Sequence, residues 1–363
     1  MIAFAYFLLD TYGRLIHPPL VLFLCIAGAV GHLVTIGTLS SMINPTNAFL
    51  ISMSCSQLML CVNFLYSTLF KYASDELCLT FFFSYFLVKT MHISVTLAVL
   101  VHMAGVFHVV ALSIIRYCSL AKLTKMNSNV PWFTYQKGRW TIAGIYLSVA
   151  LIGIPLYFTS EVAQVQENES CAERFPSLTN ATAYQLQFSS LPYLARFNFW
   201  IFNLCSKIVP SIILSVMTFF IVRQLKRLRI LSSRFTNVKR DKQHQRTTKM
   251  ILIIMFVFII VELPQGLLAV FSTIVPQFDL IYAMGDFNEM ITLLTSCIIF
   301  ALFCSMNGKI RSAFMNAPCL VWVQKWTQLW GKQRMHRREK LLSTTLLRKL
   351  PPQKNSHQNF VVL

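Results

Sequence analysis

The chain has 363 residues, 55% of them hydrophobic and only 12% charged, with a mean hydropathy of +0.58 and a formal net charge of +19. A soluble domain carries about 25% charged residues, so this composition excludes a water-soluble globular protein. The apolar runs are long and unbroken rather than alternating, which also excludes a membrane β-barrel and leaves helices as the way to satisfy the backbone in lipid.

In chain order, the opening "MIAFAYFLL" is apolar but too short to span. It lacks the basic start and small-residue cleavage site of a signal peptide, so residues 1–17 are expected to form a short extracellular tail at the membrane edge. Seven runs near the roughly 20 residues of one crossing follow. They are Pro18–Leu39, Ala48–Phe70, Phe82–Ile115, Trp140–Phe158, Phe197–Val222, Met250–Val275 and Ile281–Cys304. The third is longer than one crossing needs and should tilt or protrude. Between runs 5 and 6, "RQLKRLRILSSRFTNVKRDKQHQRTTK" is basic and should extend both helices beyond the bilayer.

After run 7, "MNGKIRSAFMNAP" places Ile310 and Phe314 on one face, as in a short amphipathic helix that Pro318 ends. Trp322, Trp326 and Trp330 then recur every four residues beside lysines, the pattern of a helix lying in the membrane interface. Cys319, just past the amphipathic helix, is a candidate lipidation site. The expected fold is therefore all-α: a seven-transmembrane bundle over residues 18–306, then a cytoplasmic amphipathic helix and tail over residues 307–363.

Basic residues set the orientation. The segments after runs 3 and 5 and the C-terminal tail hold 26 of the 32 Lys and Arg. That bias predicts an extracellular N-terminus and a cytoplasmic C-terminus in a multi-pass plasma-membrane protein. The positive charge then belongs to an inner membrane surface facing anionic lipid, and no nucleic-acid partner is implied. The sequons at Asn168 and Asn180 both fall in the predicted outer loop between runs 4 and 5, which makes them candidate glycosylation sites. Of ten cysteines, only Cys78 and Cys171 lie in predicted outer loops, where the redox environment permits a disulfide.

No HExxH, paired CxxC, P-loop, GxSxG or glycine-rich dinucleotide turn occurs. His92, His102 and His108 of run 3 are spaced by ten and six, so they do not share one helical face. No metal site, cofactor or enzymatic activity is expected.

Run 3 ends in "SIIRYCSL", and Arg116-Tyr117 at its cytoplasmic end resembles the Arg-Tyr signature of rhodopsin-like (class A) G-protein-coupled receptors. Four further stretches sharpen the resemblance: "IHPPLVLFLCIAG", "NPTNAFL", "FNFWIFNLCSKIVPSIILSVMTFFIVRQLKRL" and "RTTKMILIIMFVFIIVELPQG". Together they are similar to the invertebrate myosuppressin and FMRFamide-related neuropeptide receptors, from about Tyr12 to Phe314.

The resemblance implies a receptor for an amidated extracellular peptide, coupled through Arg116 and Tyr117 to a heterotrimeric G protein, commonly of the inhibitory class. It implies mid-helix switch prolines at Pro210 and Pro264, and aligned on Pro264 it puts Glu262 where the family has a pocket-floor tryptophan. His102 lies 14 residues before Arg116, about 21 Å along a helix rising about 1.5 Å per residue, and family geometry sets it opposite Glu262. Lys207 and Gln265 would line the same floor.

Glu262 has two readings: a carboxylate that receives a cationic or amide ligand, or an interhelical clasp with His102. The family's polar network is softened, because His32, Gln57, Ile299 and Phe303 stand at its asparagine, aspartate and Asn-Pro-x-x-Tyr positions, and Ile115 replaces the acid before Arg116. Without the aspartate no sodium ion should bind. The family's helix 3 cysteine position reads Met91, so Cys171 would have to seek Cys78. Two other functions fit the same chain: a chemosensory receptor for a small molecule, and a non-signalling membrane protein that sequesters ligand.

Overall fold

The first crossing opens with Pro18 and Pro19 in its first turn, where a missing N–H costs nothing, and runs as α1 over His17–Ser40. A π-helical turn, Tyr12–Ile16, leads into it. Asn44 caps the second helix, α2 (Pro45–Lys71), by accepting from the Thr46 N–H at 3.0 Å, with Pro45 next in line. In the computed structural model the described residues are 11–42, 44–123, 133–165, 171, 183–190, 192–232, 238–274, 285–306 and 308–316. The remaining helices are α3 (Tyr85–Leu123), α4 (Tyr135–Tyr157), α5 (Pro192–Asn203), α6 (Val209–Ser232), α7 (Val238–Ile274), α8 (Gly285–Met306) and α9 (Gly308–Met315).

Seven stretches among the described residues are long and apolar enough to cross a membrane: His17–Ser40, Pro45–Ser74, Tyr85–Lys122, Tyr135–Tyr157, Trp200–Leu228, Thr248–Phe271 and Gly285–Ser305. They overlap the seven runs read from the sequence. Helix α6 continues past the end of run 5 at Val222 to Ser232, and α7 begins at Val238, ahead of the start of run 6 at Met250, as the basic connecting segment predicts. The chain divides into two units, Met1–Arg311 and Ser312–Leu363. All seven crossings belong to the first; of the second, only the end of α9 and Asn316 are described.

Close helix approach rests on small residues, the usual device where lipid removes the hydrophobic drive for association. A Cβ at Gly28 would meet Cys61 Sγ at 2.8 Å, and one at Gly31 would strike the Phe300 ring at 2.6 Å. The first crossing therefore lies directly on the second and the seventh. At Gly153 the fourth crossing presses on Leu100 of α3 in the same way, at 2.8 Å. Tyr146 of α4 also sits within 3.2 Å of the Ser52 hydroxyl and 3.0 Å of the Ser56 hydroxyl on α2, and Ser52 bonds His108 Nε2 at 2.9 Å.

The connection between α4 and α5 holds a feature absent from the helical expectation: an antiparallel hairpin of β1 (Ser160–Val165) and β2 (Ala183–Phe188), in register from Ser160↔Phe188 to Val165↔Ala183. Cys171 between the strands is bonded to Cys78, with Cα atoms 5.7 Å apart. The bridge ties the hairpin loop to the segment linking α2 and α3. Cys78 adopts a left-handed φ of 48°, which a non-glycine residue holds only when its surroundings fix it. Cys78, Phe83, Cys171 and Ala183 form a small buried cluster beneath the hairpin.

The bridge closes a sequence separation of 93 residues, for which chain entropy alone is worth about 4 kcal/mol. The double substitution Cys78→Ala/Cys171→Ala is expected to lower the thermal midpoint of the purified protein by several degrees. An unchanged midpoint would show that the helices, not the bridge, hold the hairpin in place.

Candidate functional site

The fifth crossing is not a continuous α-helix. Pro210 has no N–H, and its ring presses on the carbonyl four residues back. The chain accommodates this with a π-helical turn over Leu204–Ile208 between α5 and α6. Such turns insert one extra residue, rotate the helix and recur at functional sites. Here the turn carries Lys207. On the sixth crossing, Pro264 sits inside α7 without ending it. Two residues later, a Cβ on Gly266 would meet Lys207 Cβ and Ile208 Cγ1 at 3.0 Å. Glycine there lets the "ELPQG" turn lie against the π-turn.

These backbone features bring four of the sequence-predicted residues together. His102 Nε2 of α3 lies 3.2 Å from Glu262 Oε1, and Lys207 Nζ lies 3.8 Å from Glu262 Oε2. Lys207 also donates to the Gln265 side-chain oxygen. One carboxylate thus links the third, fifth and sixth crossings. It is almost fully enclosed, with its side chain 2% exposed against 14% for both His102 and Lys207. Neither Glu262 oxygen has a hydrogen bond of good geometry among the described residues, so attraction between charges holds the cluster. A desolvated carboxylate in a membrane is costly without such partners.

A cavity of about 540 Å³ stands on this cluster. His102, Lys207 and Gln265 line it at one end; Lys71, Asp286 and Glu289 line it at the other, with Met91, Val95 and Phe202 among the apolar walls between. Glu262 is not part of the lining. It lies behind two residues that are, His102 and Lys207.

The other end of the cavity was not singled out from sequence. Asp286 and Glu289, one turn apart on α8, meet Lys71 of α2, whose Nζ is 3.8 Å from Asp286 Oδ1. Thr68 donates to Glu289 Oε1 at 3.5 Å. The Tyr12 and His17 rings stack edge-on at 5.9 Å beside these acids. Loss of solvent, then the charges of Asp286 and Glu289, raise the Tyr12 phenol above its ordinary pKa, so it stays a neutral donor. "GDFNE" at the start of the seventh run carries the one sequence signal for this cluster: acids at i and i+3 share a helical face.

The remaining predicted positions are spread along the bundle. His32 is fully buried and its Nε2 lies 3.0 Å from the Ser296 hydroxyl, with its ring 6.3 Å from that of Phe300. Ile299 and Phe303 are buried on the same helix. Gln57 is buried too, but against α3: a Cβ on Gly105 would lie 2.7 Å from Gln57 Nε2. The group is neutral throughout.

His92 bonds the Tyr157 carbonyl at 3.1 Å and His108 the Ala104 carbonyl at 2.6 Å, so each has a local structural partner. Arg116 has a buried Nε without a hydrogen bond among the described residues, and no described carboxylate pairs with it. Tyr117 packs on Phe220 of α6 with ring centroids 5.8 Å apart. Asn168, Asn180 and Cys319 lie outside the described residues, as do Trp322, Trp326 and Trp330.

Seven membrane crossings around a cavity floored by buried charge define a seven-helix membrane receptor. The chain belongs to the family of the serpentine type 7TM GPCR chemoreceptor Srw, whose model it matches over residues 17–319. It is thus a multi-pass plasma-membrane receptor with an extracellular ligand and a G-protein partner, in a family of receptors rather than of enzymes. Among curated proteins it is similar to "G-protein coupled receptor dmsr-1" of Caenorhabditis elegans, 26% identical over 348 residues that cover 82% of this chain and 67% of that protein.

Removing one partner of a buried ion pair costs about 3–5 kcal/mol, whereas replacing both by apolar groups is often close to neutral. Glu262→Gln and Lys207→Met alone are therefore each expected to depress the thermal midpoint strongly, and Glu262→Leu/Lys207→Met to recover most of the loss. Strictly additive losses would mean that the two groups do not act as a pair.

Proposed function

We propose that the chain is a rhodopsin-like receptor for an amidated neuropeptide of the Arg-Phe type, signalling through an inhibitory heterotrimeric G protein. The observation that carries this reading is the opposite polarity of the two cavity ends. Asp286 and Glu289 offer acceptors to a guanidinium, a pairing that charge strengthens. Lys207 and Gln265 at the floor offer donors and an acceptor matched to a terminal carboxamide, with His102 beside them. The apolar wall of Met91, Val95 and Phe202 suits a terminal aromatic ring.

The motif resemblance supports the same ligand class. Glu262 acts through His102 and Lys207, holding both in place. Arg116 and Tyr117 form the G-protein contact, and Pro264 and Pro210 are the points about which the sixth and fifth crossings move. The N-terminus faces outward, with Asn168 and Asn180 glycosylated and Cys319 lipidated against the inner leaflet.

A second reading has its own support. The matched family is described as chemoreceptors, and a cavity of about 540 Å³ suits a small molecule. A non-signalling, ligand-sequestering protein is the third, favoured by the neutral His32–Ser296 contact and by Ile115 before Arg116.

Cells expressing the receptor would be exposed to amidated Arg-Phe peptides, to the same peptides as free acids and to small volatile and water-soluble odorants, with inhibitory G-protein dissociation as readout. The expected outcome is a response to the amides that is at least about tenfold weaker for the free acids, about tenfold weaker in Glu289→Gln and absent in Arg116→Ala. A response to odorants alone establishes the chemosensory reading. Silence throughout, with surface expression shown by antibody, establishes the sequestering one.

A further inference from the structure

The His17, Asp286 and Glu289 cluster has the composition of a metal site. One ring nitrogen of His17 and one carboxylate oxygen from each acid lie within 4.8 Å of one another. Two independent features set it apart from an ordinary acidic patch. His17 is 5% exposed, and its Nε2 is sealed from solvent with no hydrogen bond among the described residues. A buried imidazole nitrogen left in that state is destabilising, because its lone pair or N–H has lost water and gained nothing in return. The Tyr12 hydroxyl beside it is in the same condition. The π-turn before α1 also comes directly against one side of Asp286: a Cβ on Gly13 would lie 2.9 Å from Asp286 Oδ2.

We propose that this cluster binds a divalent first-row transition metal, with zinc as the ion it fits best. The imidazole discriminates against magnesium and calcium, which take oxygen ligands, while two carboxylates and one histidine with an open fourth position suit zinc. Metal–ligand bonds of about 2.0–2.2 Å in a tetrahedron put ligand atoms about 3.4 Å apart. The cluster therefore closes by little more than 1 Å. Asp286, whose side chain is 41% exposed, is free to make that movement.

The ion displaces a competitor already in place, Lys71, whose Nζ is 3.8 Å from Asp286 Oδ1 and whose side chain is 55% exposed and can swing into solvent. It fastens the start of the first crossing to the start of the seventh. Asp286 and Glu289 also line the cavity, so an occupied site neutralises the acidic wall of the ligand chamber. An ion held there takes the acceptors proposed above for a guanidinium, so the metal and such a ligand exclude one another at this end of the cavity.

The test uses the purified full-length receptor in detergent, with thermal unfolding followed by tryptophan fluorescence across a buffered zinc chloride series, and with magnesium and calcium chloride as parallel arms. Calorimetry on the same samples gives the stoichiometry. The expected result is a saturable rise in the midpoint with micromolar zinc at one ion per chain, no rise with magnesium or calcium, and an apparent affinity weakened at least about tenfold by Asp286→Asn, Glu289→Gln or His17→Gln. If His17→Gln does not fold, the two carboxamide variants decide the matter, since neither removes a buried packing group.

The proposal is overturned if zinc does not stabilise the wild type, if the zinc response is the same in Asp286→Asn and Glu289→Gln, or if magnesium matches zinc. The last result would reduce the effect to screening of two neighbouring carboxylates.

Discussion

A single buried carboxylate organises this bundle. Glu262 is 1% exposed in a helix whose two preceding turns are wholly apolar, and it is tolerable only because His102 and Lys207 reach it from the third and fifth crossings. That requirement propagates into the backbone. Lys207 reaches α7 from a π-turn, and Pro210 gives a physical reason for that turn to form. Gly266 is what lets the two helices approach closely enough for the pair to form, since a methyl group there would meet Lys207 and Ile208 at 3.0 Å. Glu262, Pro264, Gln265 and Gly266 are thus one device. The acid supplies the charge, the proline a position without an N–H, the glutamine a second anchor for the lysine, and the glycine the clearance.

Away from that cluster the bundle's core has few charges. His32, Gln57, Ile299 and Phe303, on the first, second and seventh crossings, are all buried. His32 meets the Ser296 hydroxyl, and its ring lies edge-on to that of Phe300. At the end of the third crossing Arg116 has no carboxylate partner among the described residues, and its neighbour Ile115 is buried. In the described bundle, therefore, the electrostatic coupling between crossings is concentrated at the two ends of the cavity. A ligand in the cavity meets that coupling directly, and needs no relay to perturb the contact between the third, fifth and sixth helices.

The crossings were legible because hydropathy over about 20 residues is a strong one-dimensional signal. The π-turn was not, because Pro210 announces a disturbance without saying how the chain absorbs it. The hairpin between α4 and α5 has little sequence signal: "AYQLQF" alternates, but "SEVAQV" does not, and two short strands in a long loop compete with an overwhelming helical pattern.

The pairing of His102 with Glu262 could be anticipated only by aligning Arg116 and Pro264 on a family, because no local rule relates residues 160 positions apart. The role of Asp286 and Glu289 stayed hidden for a related reason. As two acids at the start of a helix they read as ordinary macrodipole complements. Only the fold reveals that His17, 269 residues earlier, closes on them with an unpaired nitrogen.

The two ends of the cavity are chemically opposed, and the opposition has a consequence for how the receptor holds its shape. At the floor, the ion pair is enclosed, so little solvent screens it and it resists separation. At the mouth, Lys71 and Asp286 are about half exposed, so their attraction is screened and readily exchanged for another partner. A cation arriving at the mouth therefore replaces a weak internal pair at small cost, while a group reaching the floor must compete with a strong one. The tight end joins the third, fifth and sixth crossings; the loose end joins the first, second and seventh.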